Sequence, residues 1–368
     1  MTPDPSNRRA VGAIIDPQLV RTLEELGFLG TVDEVDGVVR VQLVLPVTEW
    51  PNRALLEAAV ASVLPGSTVV VRAMNDEERL ALRNFLRGAM TASAPGEHAH
   101  AESPRFLDKL SKTRVIGISS GKGGVGKSSV TVNLAIALAQ RGCQVGVLDA
   151  DVYGFSLPKM LGAAHDPIVL GDTVIPTLVH GIRCVSMGYF VPDEQPVIWR
   201  GPMLHKAIEQ LVTEAWWDEP DFLLIDMPPG TGDVALTLSE ILPRIEMYVV
   251  TTPQAAAQRV AQRSAYAARK LKLAVRGVIE NMSWFRGDDG RRYEIFGSGG
   301  GAQLAQELGI ALLGQIPLEA QLREGGDIGS PIVVSDPESE AARAFRELAA
   351  TVAQQGPARV YRQELKLI

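Results

Sequence analysis

The segment Gly121-Lys122-Gly123-Gly124-Val125-Gly126-Lys127-Ser128 constrains this chain more than any other. It follows a short apolar run, Val115–Ile118, and opens a helical pattern over Ser128–Gln140. A strand that turns through glycines into a helix makes a cradle. Backbone N–H groups curl around phosphate oxygens where no Cβ obstructs them, and the helix N-terminus adds its partial positive charge. Lys127 then reaches the β- and γ-phosphates, and the Ser128 hydroxyl ligates magnesium. The strand before and the helix after distinguish such a phosphate loop from a glycine-rich turn. The expected ligand is ATP with Mg2+, bound by Gly121, Lys122, Gly123, Gly124, Val125, Gly126, Lys127, Ser128 and Ser129.

The surrounding rhythm agrees. Val115–Ile118, Val145–Leu148, Phe222–Ile225, Tyr248–Thr251 and Val275–Ile279 are short and apolar almost throughout, with helical patterns between them. Such runs read as strands buried on both faces of a mostly parallel sheet, and right-handed crossovers make that a doubly wound α/β P-loop NTPase domain. It is expected over 113–356. A small α+β domain precedes it over 9–92, with helices at Pro17–Leu26, Arg53–Leu64 and Asp76–Arg87 and strands at Val39–Leu45 and Thr68–Arg72. On the last helix Leu80, Leu82, Phe85 and Leu86 form the expected apolar side. A flexible linker is expected over 93–112, where His98 and His100 read as solvated, and a tail over 357–368.

Composition closes off other classes. The net charge of -7 argues against a general nucleic-acid partner. Met1–Arg9 has no apolar core of a signal peptide, and no apolar stretch approaches the ~20 residues of a membrane span. No nucleic acid, no membrane and a cytoplasmic location are expected. The two cysteines, Cys143 and Cys184, form neither a disulfide framework nor a closely spaced metal pair. Both read as packing residues.

The early lysine, Lys122, makes the loop resemble the deviant Walker A class of ATPases. The resemblance implies that Lys122 reaches the nucleotide of a facing subunit in a homodimer, a cation delivered in trans to the charge of the transferring phosphoryl. The alternative is a solvated loop lysine. Asp149 and Asp151 close the second strand, where carboxylates face the nucleotide crevice. The class implies that Asp151 positions the attacking water, while Asp149 holds magnesium through water or organises the loop. Asp226 ends Phe222–Ile225 in a Walker B pattern and would hold magnesium through water. Pro228–Asp233 reads as a switch-like loop, with Asp233 alternatively a helix cap. Asn281 is implied to pair with adenine through its amide; otherwise it is a turn former.

These residues, with Trp199–Met203, Asp226–Asp233, Thr251–Gln254, Glu280–Ser283, Ile295–Gly297 and Leu313–Leu318, resemble the Mrp family of P-loop ATPases over nearly the whole chain. The N-terminal stretch, with Ile15-Asp16-Pro17 and Leu26-Gly27, is similar to the MIP18-type domain often fused ahead of it. The resemblance implies an ATP-hydrolysing iron–sulfur carrier that binds a 4Fe–4S cluster at a dimer interface and passes it to apo iron–sulfur proteins or assembly factors. One departure stands out. The family pattern places Cys-x-x-Cys between the Asn-Met-Ser and Ile-Phe-Gly motifs, and here Trp284–Glu294 contains no cysteine. Likewise Trp50 follows the N-terminal strand where a cysteine is usual. A nucleotide-switched dimeric scaffold or assembly factor without a cluster is the alternative, ahead of a partition-type ATPase.

Overall fold

The computed structural model describes residues 5–90, 105–107, 111–152, 154–190, 201–230, 232–242 and 244–357. The chain divides into two compact units, residues 1–102 with 168–175, and residues 103–167 with 176–368. His98, His100, Trp199, Arg200, Thr231 and the tail after 357 lie outside the described residues.

The first unit runs α1 (Pro5–Gly12), β1 (Ile15–Asp16), β2 (Arg21–Thr22), β3 (Leu29–Val35), β4 (Val38–Leu45), α2 (Arg53–Val63), β5 (Thr68–Ala73) and α3 (Asp76–Met90). Its sheet is ordered β3-β4-β5, with β3 antiparallel and β5 parallel to β4. Asp36 and Gly37 join β3 to β4, both at positive φ. That is a two-residue hairpin turn, a signal the sequence reading passed over along with β3. The helix expected at Pro17–Leu26 does not form. The Asp16 carboxylate accepts the Leu19 N–H at 2.7 Å, its carbonyl accepts from Val20, and Val20 takes a φ of 53°. A side chain has outcompeted the helical ladder. Leu19, Leu23 and Leu26 are buried all the same. On α3, Leu82 and Leu86 are buried, whereas Leu80 and Phe85 are exposed. A later hairpin, β8 (Ile168–Leu170) with β9 (Thr173–Ile175), joins this unit. Asp172 in its turn lies 3.0 Å from Arg87 of α3.

The second unit begins inside the stretch expected as linker, where Phe106 buries in a single turn over Arg105–Leu107. It continues through β6 (Arg114–Ser120), α4 (Lys127–Gln140), β7 (Val145–Asp149), α5 (Leu157–Leu161), β10 (Thr177–Val179), β11 (Ile182–Ser186), α6 (Gly201–Thr213), β12 (Phe222–Asp226), α7 (Asp233–Ile241), β13 (Glu246–Thr251), α8 (Ala255–Lys270) and β14 (Ala274–Glu280). A small hairpin of β15 (Phe285–Arg286) and β16 (Arg292–Tyr293) follows, then α9 (Gly300–Leu308), β17 (Ala311–Gln315), α10 (Ala320–Ile328), α11 (Ile332–Ser335) and α12 (Glu340–Gln354). All five expected strands form. The eight-stranded sheet is ordered β10-β11-β7-β12-β6-β13-β14-β17. Every pair is parallel except the edge pair β10–β11.

Every residue of β6, β7, β12 and β13 is buried, which explains their unbroken apolar runs. Helix α4 is buried on all sides from Val130 to Leu138. It shares one apolar cluster with the sheet and with Phe345, Leu348 and Val352 of α12. From β6 the chain winds first toward β7 and later toward β13, so the order reverses beside β6. In open α/β sheets the crevice at the carboxyl ends beside such a reversal is where ligands bind, and the glycine loop leaves β6 there.

Candidate nucleotide site

The loop between β6 and α4 needs glycine at two kinds of position. Gly124 and Gly126 take φ of 78° and 80°, the left-handed region that favours glycine. Gly126 is also the N-cap of α4, and a Cβ there would lie 2.1 Å from Asn281 Nδ2. Gly123 and Gly124 face open space, with nothing within 4 Å of an added Cβ. The cradle is therefore formed and free on its outer side.

Behind it, three side chains of α4 converge on Asp226 at the end of β12. Lys127 Nζ donates to Asp226 Oδ2 at 2.6 Å, Ser128 Oγ donates to the same oxygen at 2.6 Å, and Thr131 Oγ1 donates to Oδ1 at 2.7 Å. Lys127 Nζ also stands 3.8 Å from Asp151 Oδ2. Lys127, Asp151 and Asp226 are all buried, so these charges act with little screening by water. A serine hydroxyl beside a carboxylate is a hard oxygen donor set suited to Mg2+. Thr131 was missed in the sequence. Its signal is spacing, since it follows Lys127 by one helical turn and lies on the same face of α4.

Asp149 and Asp226 are register partners on adjacent strands. Burial first, then the Asp226 charge, raise the Asp149 carboxyl above the usual carboxylate range. Asp149 Oδ1 accepts the Asp151 N–H, and Oδ2 accepts from Ser156 N, Leu157 N and Ser186 Oγ, at 3.1–3.2 Å. These bonds tie Asp149 to the loop that carries Asp151, the contacts expected of a loop organiser.

Asn281 lies at the end of β14, 2% exposed. Its Nδ2 donates to the Val125 carbonyl at 2.9 Å, and its buried Oδ1 has no partner among the described residues. It lines a cavity of about 440 Å3 together with Gly124, Gly126, Ser129, Met282 and Leu318. A cavity beside a phosphate cradle, largely apolar but rimmed by Lys159, Glu319, Arg323 and Asp327, is placed and sized for a nucleobase. Glu280, the first residue of the Glu280–Ser283 motif, holds this corner. Buried at 0% exposure, it accepts from Ser283 Oγ at 2.9 Å, Gln315 Nε2 at 2.7 Å and the Gly301 N–H.

Lys122 is not brought to Asp226. Its Nζ lies 3.5 Å from Gln254 Oε1. In the switch-like loop, the Gly230 N–H donates to the Ser120 carbonyl at 2.9 Å, and Asp233 occupies the first position of α7 behind the N-cap Gly232. Gly201–Met203 open α6. Cys143 and Cys184 join the apolar cluster around α4 and do not border the cavity. Among the described residues no helix is long and apolar enough to cross a membrane.

Residues 111–353 match the family model described as the NUBPL iron-transfer P-loop NTPase. The chain is 41% identical over 353 residues to an iron-sulfur cluster carrier protein of Mycobacterium leprae, covering 92% of this chain and 90% of that one. It is 40% identical over 345 residues to the protein of the same name from Synechocystis, covering 92% and 93%. Among solved structures it is similar to a nucleotide-binding protein of Archaeoglobus fulgidus in complex with ADP, at TM-score 0.54 and 33% identity over 64% of this chain and 93% of that one. It is also similar to the septum site-determining protein MinD of Pyrococcus horikoshii with Mg-ADP, at TM-score 0.52 and 27% identity over 66% and 96%.

Proposed function

This chain belongs to the family of NUBPL-type iron-transfer P-loop NTPases, and we propose that it is a Mg2+-dependent ATPase whose nucleotide state governs delivery of iron–sulfur clusters to apo-proteins in the cytoplasm. The observation that carries the ATPase half is the convergence of Lys127, Ser128 and Asp226 beneath a formed glycine cradle and beside a base-sized cavity. The names of the relatives support the iron–sulfur half.

Ser128 and Asp226 would hold Mg2+, which when bound neutralises charge on the phosphates. Lys127 exchanges Asp226 for phosphate oxygens, one anionic partner for another. Asn281 Oδ1 accepts from the adenine amino group, while its Nδ2 keeps the loop closed through Val125. Asp151, positioned by Asp149, orients the attacking water. Lys122 serves a facing subunit of a homodimer. Its one long hydrogen bond to Gln254 is readily exchanged, whereas Lys127 is committed within its own subunit.

The test is Mg2+-dependent phosphate release from ATP by the wild type, Lys122→Ala, Asp151→Ala and an equimolar mixture of the two variants. Each variant should bind ATP and turn it over slowly. The mixture should exceed both, because one of its two sites regains a full set. A mixture no faster than either parent rules out the shared site. A second reading, a nucleotide-switched dimeric scaffold or assembly factor with no cluster of its own, is favoured by one observation: Cys184 is buried in the core and Cys143 packs half-buried against it.

A further inference from the structure

A cluster carrier needs thiolates, and this chain has two cysteines with which to supply them. A thiolate that binds iron must be deprotonated and accessible. Cys184 meets neither condition. It lies mid-strand in β11, opposite Thr177 on one side and Val147 on the other, with 0% of its surface exposed. Burial and then the Asp149 charge keep its thiol protonated. No surface motion short of opening the sheet would bring its sulfur to an iron.

Cys143 is half-buried and packs against the same cluster. Burial first, then the Asp221 charge, raise its thiol. Its place in the fold is the stronger objection. It follows the C-terminal end of α4, and the phosphate loop precedes the N-terminal end. A helix of 14 residues is about 20 Å long. A site formed where two phosphate loops face each other therefore lies at the other end of α4 and of the strands from Cys143. If two copies met through Cys143 instead, they would contribute two thiolates, where a cluster takes about four ligands. Among the described residues no group of three or more His, Cys, Asp or Glu side chains is placed to hold a metal ion. The residues present do not fit a bound cluster.

Resting on the iron–sulfur reading above, we infer that the clusters this chain helps to deliver are never ligated by its own thiols and remain on the cysteine thiolates of protein partners, a cluster-loaded donor and an apo recipient. The step it promotes is then ligand exchange between those two proteins. Each Fe–S bond to a donor cysteine breaks as one to a recipient cysteine forms. Each incoming thiol gives up a proton and each departing thiolate takes one. The iron–sulfide core keeps its atoms and electrons throughout, so no oxidant or reductant enters.

Two measurements on the full chain test this. In the first, the wild type with ATP and Mg2+ is incubated anaerobically with ferrous iron, sulfide and a thiol reductant, desalted, and assayed for iron and for thiolate-to-iron charge-transfer absorption. Iron at the level of a protein without cysteine is expected. A stable complex of about four irons per dimer, lost in Cys143→Ser or in Cys184→Ala, overturns the inference. In the second, transfer from a cluster-loaded scaffold to an apo hydro-lyase that needs a 4Fe–4S cluster is followed by the recovered activity. The wild type and the Cys143→Ser/Cys184→Ala double variant should accelerate it equally with ATP. If the variant binds ATP and has a native circular dichroism spectrum but has lost the acceleration, the inference fails. If neither protein accelerates transfer and neither holds iron, the delivery reading falls, and the partner-held cluster falls with it. Should the double variant not fold, the iron content of the wild type decides alone.

Discussion

The amino-terminal and carboxyl-terminal edges of the sheet's central strands each hold a buried ion pair, and they differ in how completely those charges are satisfied. At the amino edge, Arg114 at the start of β6 meets Glu246 at the start of β13. Arg114 Nε and Nη2 donate to the two Glu246 oxygens at 3.3 and 2.7 Å, and Nη2 also reaches Tyr248 Oη at 3.0 Å. Its Nη1 donates to the Val352 and Gln355 carbonyls at the end of α12, at 2.5 and 2.6 Å. Every part of the guanidinium fork is used within the protein, which is what retains a buried charge. At the carboxyl edge, Lys127, Ser128 and Thr131 crowd onto the single Asp226 carboxylate, and each oxygen or ammonium there has a natural second partner in a phosphate or Mg2+. A saturated network holds the fold together, and one whose members can exchange partners is a site.

Breaking the amino-edge pair should have the largest effect. Arg114→Met leaves Glu246, which is 2% exposed, to the longer Arg276 contact at 3.5 Å, and it strips two helix-end carbonyls of their donor. A broken buried pair costs about 3–5 kcal/mol. Urea unfolding should show the loss, while the nucleotide affinity of the folded fraction stays at the wild-type value. Weakened nucleotide binding in that fraction would erase the distinction between the edges.

Lys127→Ala should show the reverse pattern. Asp226 keeps the Ser128 and Thr131 donors, so stability should fall less than in Arg114→Met. ATP affinity by calorimetry should drop roughly 30-fold or more, the equivalent of about 2 kcal/mol of charge-assisted bonding. Unchanged affinity would contradict the phosphate role of the loop. Thr131→Val is a finer cut. It removes one donor to Asp226 Oδ1 without changing side-chain shape. Mg2+ affinity of the nucleotide complex should weaken roughly fivefold, about 1 kcal/mol, with Mg-free nucleotide binding unaffected and Thr131→Ser restoring the wild-type value. Equal loss with and without Mg2+ would make Thr131 a packing residue only.

The smallest effect belongs to similar ion chemistry in contact with water. In the β15–β16 hairpin, Arg286 and Arg292 clasp Glu340 of α12 at 2.8 and 2.6 Å, and the Arg292 guanidinium lies 4.2 Å from the centre of the Trp284 ring. The Arg286 bond, with help from Arg292, holds the Glu340 carboxyl at about 2, below its ordinary 4.5. A depressed carboxyl contributes stability that is complete above its unfolded value and is lost as pH falls through the folded one. Trp284 emission should therefore shift on acidification from about pH 5 to about pH 2, against a Trp284→Phe blank, and the shift should vanish in Glu340→Gln. Global stability should barely change, as for other exposed pairs. A pH-independent spectrum would mean the clasp is not formed in solution.

Much of this was legible before the structure. The glycine loop and five strands stood out because a parallel sheet buried on both faces requires unbroken apolar runs, and a phosphate cradle requires glycines before Lys127 and Ser128. Chain order also placed Asp149, Asp151 and Asp226 at strand ends. The N-terminal unit was harder. At Pro17–Leu26 the leucine spacing suggested a helix, and a local bond from Asp16 to Leu19 made a turn. The β8–β9 hairpin could not be assigned to that unit from its position in the chain, because its nearest chain neighbours belong to the other one. What the sequence determined was therefore local: which residues enter the core, and where the chain turns through glycine. What only the tertiary structure decided was which side chain meets which. Thr131 and Lys127 reach one carboxylate about 100 residues away, the Asp149 oxygens accept from its own loop, and Cys143 lies at the opposite end of α4 from the phosphate loop. Those outcomes depend on strand order and register, which arise from long-range packing that no short stretch of sequence encodes.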